Sequence, residues 1–475
     1  MRDYIVIVKQ ACPTCELVEP VIATAAAAGL TLQVFSQDNP DFPVGVGPVG
    51  DDRSLEHSYR LDVETVPTLI RRDDGDETER IVGWDRSDWR RLFEIDDLGG
   101  DLPEFRPGCG SLSVAPGMPE QLALKFGDIA LGSRRVEIAD IEDPIESCFD
   151  RGWSDGLPVV PPTELRVVRM LAGTRRKPDE VLGLMPPDLQ PCTVEKVAIN
   201  AVMAGCKPEY LPVVIAAVEA SLIDAFCMHG LLATTWFSGP MVIVNGPIGR
   251  AIGMNSGGNA LGQGNRANAT IGRALQLVVR NVGGGRPGGV DRSTLGNPGK
   301  YTFCFAEGEQ RSPWDSLAVQ RGFTPDQSTV TLFAADGVQG FADQKSRDPE
   351  SLCRSFAASL ISVGHRKFAM LSDAFIVLSP EHQRVYADAH WSKQQVIDKL
   401  TELTTRAGSE LLGGVDGIAE GMPDFVAGMD LPKFKSGGLN IVCAGGEAGL
   451  FSAIVGGWLA SGDLGSSPVS KEIVL

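Results

Sequence analysis

No run in this chain approaches the roughly 18–20 consecutive apolar residues that a bilayer-spanning helix needs, so a helical membrane span is not expected. The opening Met1-Arg-Asp-Tyr-Ile-Val-Ile-Val8 has too short an apolar part for a signal peptide and reads as a strand. A dense cysteine framework is also missing. Ten cysteines scattered over 475 residues fit a reducing, cytoplasmic setting better than a disulfide-stapled secreted module. Nor is there a surplus of positive charge. Lys and Arg number 43 against 61 Asp and Glu, giving a net charge of −18 and a pI near 4.8, a balance that argues against a nucleic-acid partner. HExxH is absent, as is GxxxxGK[ST], and no repeat of fixed short period or low-complexity tract occurs.

Against that acidic background, residues 245–300 stand out. They hold fifteen glycines and seven asparagines, and six arginines plus Lys300 face the single acid Asp291, a net charge of +6. So much glycine is costly to order and makes sense where backbone must approach something closely. The charge suggests that this something is an anion. Met241–Val244 reads as a buried strand, a loop follows to about Arg266, and Asn268–Asn281 reads as a helix with Asn268 as its N-cap. Between that strand and that helix there is no GxGxxG, so the stretch carries no nucleotide fingerprint. A strand, a Gly-rich loop and a helix N-terminus can hold phosphate or carboxylate on backbone N–H groups. The expected ligand-binding residues are Asn245, Asn255, Asn259, Arg266, Asn268, Arg273 and Lys300. The competing reading is a structural Gly-rich connection with solvent-facing arginines.

The first hundred residues show a different pattern. Tyr4–Val8 is a strand, Cys12-Pro-Thr-Cys15 opens an apolar helix, and Leu30–Phe35 is a second strand. Val63–Ile70, entered through Pro67, and Glu79–Val82 are further strands, and a helix over Ser87–Phe93 closes the unit. A CxxC that opens the first helix after a first strand, followed about fifty residues later by Val-Pro-Thr, resembles the thioredoxin fold over residues 1–95. The resemblance implies a cis Pro67 against the active disulfide, Cys12 as the attacking thiol and Cys15 as the resolving one. Helix geometry agrees with those roles: a thiolate at a helix N-terminus is stabilised by the dipole, and a thiol one turn on can close a disulfide. Ala11 and the Pro-Thr pair between the cysteines depart from thioredoxin itself. Half of a zinc site is the alternative, although no second CxxC or paired His follows nearby.

Residues 96–119, acidic and then rich in Gly and Pro, read as a linker. Cys109 on its Gly-flanked turn is either a thiol relay that meets Cys12 and Cys15 or an incidental surface thiol. From residue 120 to 475 alternating strands and helices read as a larger α/β domain with a mainly parallel or mixed sheet. The strand-and-glycine turn at 241–253 is echoed at 438–458, which suggests two similar halves around a cleft, with Asn245 and Cys443 at the C-terminal ends of strands. Cys227 and His229, two apart at a helix end, are the candidate metal ligands, and Glu307 and Glu309 could hold a cation or act as acid and base.

Three runs in this domain carry a second resemblance: Asp155-Gly-Leu-Pro-Val-Val-Pro-Pro-Thr163, Arg266-Ala-Asn-Ala-Thr-Ile-Gly-Arg-Ala274 and Asn281-Val-Gly-Gly284. They resemble an uncharacterised bacterial α/β family over residues 145–460. That family is associated with small thiol or selenol proteins carrying a U/C-Gly-Ser-Cys (UGSC) motif and similar to selenoprotein B of glycine-type reductases. The motif itself is missing, and Cys109-Gly-Ser-Leu is a partial echo. The resemblance implies thiol- or selenol-dependent chemistry, with the acting group on this chain or on a partner protein.

The expected function is a thiol-dependent oxidoreductase or reductive lyase acting on an anionic or polar small molecule. The CxxC domain would supply thiol–disulfide exchange through a Cys12–Cys15 disulfide. Two alternatives stay open: a redox-coupled partner-binding, maturation or metal-handling protein, and a non-redox lyase or hydrolase using Glu307 or a metal. Oligomer formation is open as well.

Overall fold

The computed structural model describes residues 2–127, 129–459 and 465–475. The chain divides into two compact units, Met1–Ala130 and Leu131–Leu475. Both mix helices and strands, as an α/β reading requires.

In chain order the first unit contains β1 (Arg2–Val8), α1 (Pro13–Ala27), β2 (Leu32–Ser36), β3 (Gly50–Asp51) and α2 (Glu56–Arg60). It continues with β4 (Thr65–Val66), β5 (Thr68–Asp73), β6 (Asp76–Val82), β7 (Trp84–Asp85) and α3 (Arg86–Phe93), then β8 (Phe105–Arg106), β9 (Cys109–Gly110) and α4 (Met118–Phe126). Five strands form one sheet in the order β3-β2-β1-β5-β6, with β1 parallel to β2 and antiparallel to β5. The continuous apolar run of β1 is explained by this central place, since Tyr4–Val8 are buried on both faces. Pro13 at the first turn of α1 costs no hydrogen bond there. The Asp85 carboxylate accepts from the N–H groups of Ser87 and Asp88 and starts α3. Trp84, Trp89 and Phe93 then pack edge to face in the core.

Residues 96–119, expected as a linker, are part of this first unit. Phe105–Arg106 pair with Trp84–Asp85, and Cys109–Gly110 pair antiparallel with Thr65–Val66. These two-residue strands replace flexible chain with a segment fixed across the top of the dithiol helix, so the boundary moves from residue 95 to residue 130.

The second unit opens with α5 (Pro144–Asp150), α6 (Glu164–Leu171), the hairpin β10 (Val181–Met185) and β11 (Gln190–Thr193), then α7 (Val194–Ala204), α8 (Leu211–Ser221) and α9 (Met228–Ala233). Next come β12 (Gly239–Asn245), α10 (Pro247–Ala251), α11 (Arg266–Asn281), β13 (Cys304–Ala306), α12 (Leu317–Gln320) and the long β14 (Thr329–Ala342). The chain continues through α13 (Pro349–Leu360), β15 (Ala374–Leu378), α14 (Pro380–Asp388), α15 (Lys393–Thr404), β16 (Arg406–Ala407), α16 (Gly408–Leu411) and β17 (Asp430–Leu431). It ends with β18 (Leu439–Cys443), β19 (Phe451–Gly457) and β20 (Val469–Glu472).

One mixed seven-stranded sheet organises this unit, in the order β13-β12-β14-β19-β15-β18, with β20 also on β14. The two strand-and-glycine segments noted in the sequence both belong to it: β12 lies parallel to β13, and β18 parallel to β15. Antiparallel β14 and β19 join these pairs. Apolar residues from both pairs, among them Ile243, Phe305, Phe375 and Val442, share one core cluster. The nearly all-apolar α7 and α8 are buried, with α8 and α11 on the sheet and α7 against α11. Among the described residues no single helix is long and apolar enough to cross a membrane.

Candidate functional site

In the first unit Cys12 is the N-cap of α1, and its Sγ accepts from the Cys15 N–H at 3.4 Å. The Cys12 thiol lies 3.6 Å from the Val66 carbonyl oxygen, and the following Val66–Pro67 peptide bond is cis. Pro67 thus stands one residue from the backbone that touches the Cys12 thiol. All three cysteines of this region, Cys12, Cys15 and Cys109, are thiols in this structure. Cys12 and Cys15 are 1% and 0% exposed, whereas Cys109 is partly open to solvent.

The three sulfurs differ in acidity. Burial opposes ionisation of Cys12, but hydrogen bonds from the Cys109 thiol, from Cys15 and from the Thr14 backbone outweigh it and hold the Cys12 thiol below its ordinary value. Burial pushes Cys15 far up, and the neighbouring Cys12 adds to the rise. Cys109 is raised by burial and by its bond to Cys12. Of the three, Cys12 is thus the thiol whose ionised form the surroundings favour, and Cys15 the one they oppose most.

In the second unit the Gly/Asn/Arg stretch is a built structure whose polar groups largely serve one another. The Asn245 amide, 1% exposed at the end of β12, donates to Glu307 at 2.6 Å and to Glu309 at 2.7 Å. The Asn255 amide donates to the Gly258 carbonyl, and Asn259, at φ 60°, donates to the Gln263 carbonyl. Helix α11 begins three residues earlier than its sequence suggests: Asn265 is the cap, and its side chain accepts from the Asn268 N–H. Asn268 is buried inside the first turn and exchanges hydrogen bonds with the Asn255 backbone, which holds the loop closed.

The cations of the stretch are mostly engaged. Arg273 forms a two-pronged ion pair with Asp155, both contacts at 2.8 Å, and also reaches the carbonyls of Leu157 and Pro158. Arg266 donates to the Gly205 carbonyl at 2.9 Å. Lys300 is held by Asp291 at 2.7 Å and Ser293 at 2.6 Å. Each of the three cations expected to bind a ligand thus already has a partner within the chain, an acid for Arg273 and Lys300 and a carbonyl for Arg266.

A cavity of this unit lies elsewhere. It measures about 660 Å³ and is lined by Trp153, Lys196, Asn200, Asn281, Arg286 and the 131–138 segment, among others. None of the seven expected ligand-binding residues lines it. A second cavity of about 500 Å³ includes Lys300 together with Arg280 and Asp291. A third, about 110 Å³, lies where β12 and β13 end, between Arg250, Glu307, Glu309 and Arg311. There the Gly308 N–H donates to the Cys443 carbonyl at 2.6 Å, bringing the ends of β13 and β18 together. Burial raises the Glu307 carboxyl pKa, against the pull of Lys393 at 3.9 Å. Glu307 Oε1 and the side-chain amide oxygen of Asn245, Oδ1, have no hydrogen-bond partner.

Cys227 has a left-handed backbone, φ 54°, at the start of α9, and His229 is exposed. Among the described residues no group of three or more His, Cys, Asp or Glu is placed to hold a metal ion. Gly152-Trp-Ser-Asp-Gly156 has the GxSxG spacing of a nucleophile elbow. The Ser154 hydroxyl, however, donates to the Leu157 carbonyl and accepts from the Gly156 N–H, so it closes a turn instead.

No protein-family model matches the chain, and no curated protein matches it. Among solved structures, the crystal structure of StoA from Bacillus subtilis aligns with 14% sequence identity, a TM-score of 0.17, and coverage of 20% of this chain and 81% of that chain.

Proposed function

We propose that this protein is a thiol–disulfide oxidoreductase whose first unit is a thioredoxin-type exchange domain and whose second unit binds a small polar or anionic molecule. The observation that carries the reading is Cys12 as the cap of α1, its sulfur on the Cys15 N–H and its carbonyl neighbour immediately before Pro67. A parallel β1–α1–β2 unit with the antiparallel pair β5–β6 alongside supports the same assignment. In the exchange, Cys12 thiolate attacks a partner disulfide and releases one partner thiol; Cys15 then attacks Cys12, releasing the second and leaving Cys12–Cys15 oxidised. An outside dithiol restores the pair.

For the second unit, the cavity of about 660 Å³ suits a small molecule with an apolar body, and Arg286 and Lys196 in its wall suit a negative group. A second reading, acid–base chemistry without redox, is favoured by one observation: the buried Glu307 carboxyl beside the cavity of about 110 Å³. The two readings separate on one experiment. The variant Cys12→Ser/Cys15→Ser should lose all acceleration of the reduction of a disulfide-bonded substrate protein by dithiothreitol over the uncatalysed rate, while small carboxylates still raise its melting temperature. Undiminished turnover in that variant would sink the redox reading.

A further inference from the structure

Cys12 is nearly sealed from solvent, yet the exchange proposed above needs a sulfur that an outside molecule can reach. What seals this region is the chain itself. Residues 105–113 are fixed on both sides of the dithiol: β8 pairs with β7, and β9 pairs with β4 so that Cys109 stands opposite Val66. Val66 is the residue whose carbonyl takes the Cys12 thiol. Thr14, between the two cysteines of α1, donates to the Pro107 carbonyl at 2.7 Å, and Lys9 donates to the Gly110 carbonyl at 2.7 Å. Further along, Ser111 N–H meets the Glu64 carbonyl and Ser113 Oγ meets the Val63 carbonyl. Gly108 fits only because it has no side chain: a Cβ there would lie 2.4 Å from Thr65 Cγ2 and 2.8 Å from the Val66 oxygen. The register thus sets Cys109 across from the residue whose carbonyl the Cys12 thiol approaches, and Cys109 alone of the three is partly exposed.

We propose that residues 105–113 form a strap that delivers Cys109 as a third exchange thiol, the sulfur through which an outside dithiol reaches the oxidised Cys12–Cys15 pair. The proposal rests on the reading of Cys12 and Cys15 as an exchange pair. In the oxidised protein Cys109 attacks the Cys12 sulfur. The Cys12–Cys15 bond breaks, a Cys12–Cys109 bond forms, and the proton lost by Cys109 is taken up by Cys15. No electrons leave the protein in this step. An outside dithiol then opens the Cys12–Cys109 bond at Cys109, and its second thiol resolves the mixed disulfide, so that the dithiol is oxidised and the protein ends with three thiols. The strap pairs through backbone, so the sulfur at position 109 is presented in a fixed register rather than by chance encounter.

The test uses the full chain with Cys15→Ser, treated with oxidised glutathione, quenched in acid, alkylated and mapped by peptide mass spectrometry. The expected product is a Cys12–Cys109 disulfide with two glutathiones released per chain. A lasting Cys12–glutathione adduct with Cys109 alkylated would overturn the strap relay. The wild-type chain under the same oxidant separates the two levels. If it forms Cys12–Cys15 while the variant keeps the adduct, only the relay fails; if it forms no disulfide at Cys12, the exchange reading fails with it. In a second measurement, Cys109→Ser should lower dithiothreitol-driven reduction of a disulfide-bonded protein by about tenfold or more, since access through the exposed sulfur is removed. An unchanged rate would overturn the relay.

Discussion

Asp155 and Arg273 face one another through two hydrogen bonds of 2.8 Å, with side chains only 12% and 14% exposed. The pair ties the extended, proline-fixed segment at 155–163 to the middle of α11. It also removes Arg273 from the set of cations available to a ligand. Burial alone would raise the Asp155 carboxyl, but the Arg273 guanidinium outweighs it and holds the pKa below the usual range. Asp155→Ala leaves Arg273 partly buried without its anion and should cost about 2–4 kcal/mol, read as a lower melting temperature of the second unit. Because the folded pKa is depressed, the contribution is complete above the unfolded carboxylate range and is lost as pH falls through the folded value. Acid unfolding of the wild type should therefore be steeper below about pH 4 than that of the Asp155→Ala variant. Equal acid limbs would show that the pair contributes no pH-dependent stability.

Gly108 offers a direct handle on the strap over the dithiol. Adding side-chain volume there drives atoms into Thr65 and the Val66 carbonyl, neither of which is a free-swinging tip. Gly108→Val should lift β9 from β4 and open a path to Cys12. Alkylation of Cys12, slow in the wild type, should then accelerate severalfold, while the melting temperature of the first unit falls. Mass spectrometry of timed alkylation checks both sulfurs at once. If Cys12 is as slow to react in the variant as in the wild type, the strap is not what protects it.

The dithiol was legible because its signal is local: two cysteines and a proline between them say where a helix begins. The strap was not. Its strands are two residues long, too short to show alternation, and their partners lie some twenty and some forty residues back, so Gly and Pro at 96–119 look like a tether. The cradle shows the same limit at longer range. Its glycines and asparagines announce a tightly turned loop, but the acid that occupies Arg273 is 118 residues away in the chain. The helix start was missed by three residues for a related reason. Asn265 and Asn268 are equally good caps by type, and only the tertiary contacts of Asn268 with Asn255 decide between them. Asn245 and Cys443, by contrast, do end strands β12 and β18, because short apolar runs followed by glycine mark strand ends well.

Asp336 gives a second pH-dependent term with the opposite sign. It sits in β14, receives hydrogen bonds from Trp236 at 2.8 Å and from Ser238, and is pushed up to about 6 by burial, against those two donors. The folded state thus holds this proton more tightly than the unfolded chain. Its contribution is complete below the unfolded carboxylate range and is lost as pH rises toward 6. Stability should decline by about 3 kcal/mol over that interval, and Asp336→Asn should flatten the decline. Chemical denaturation at a series of pH values measures it; an identical slope in the variant would place the titrating group elsewhere.

The cluster at the ends of β12 and β13 permits a sharper contrast between two neighbouring substitutions. Glu307 is fully enclosed, its pKa raised by burial, and its Oε2 accepts from the Asn245 amide at 2.6 Å and from the Leu317 N–H at 2.8 Å. A raised carboxyl pKa means that the charged form is the costly one, so removing the charge with the same shape relieves the fold rather than injuring it. Glu307→Gln keeps an oxygen for both donors and should leave the melting temperature at neutral pH unchanged or higher. Asn245→Ala deletes the donor that serves Glu307 and Glu309 together and should cost about 1–3 kcal/mol. A strongly destabilising Glu307→Gln would mean that Glu307 is held as an anion by Lys393, and that this corner of the sheet is an ion pair rather than a store for a proton.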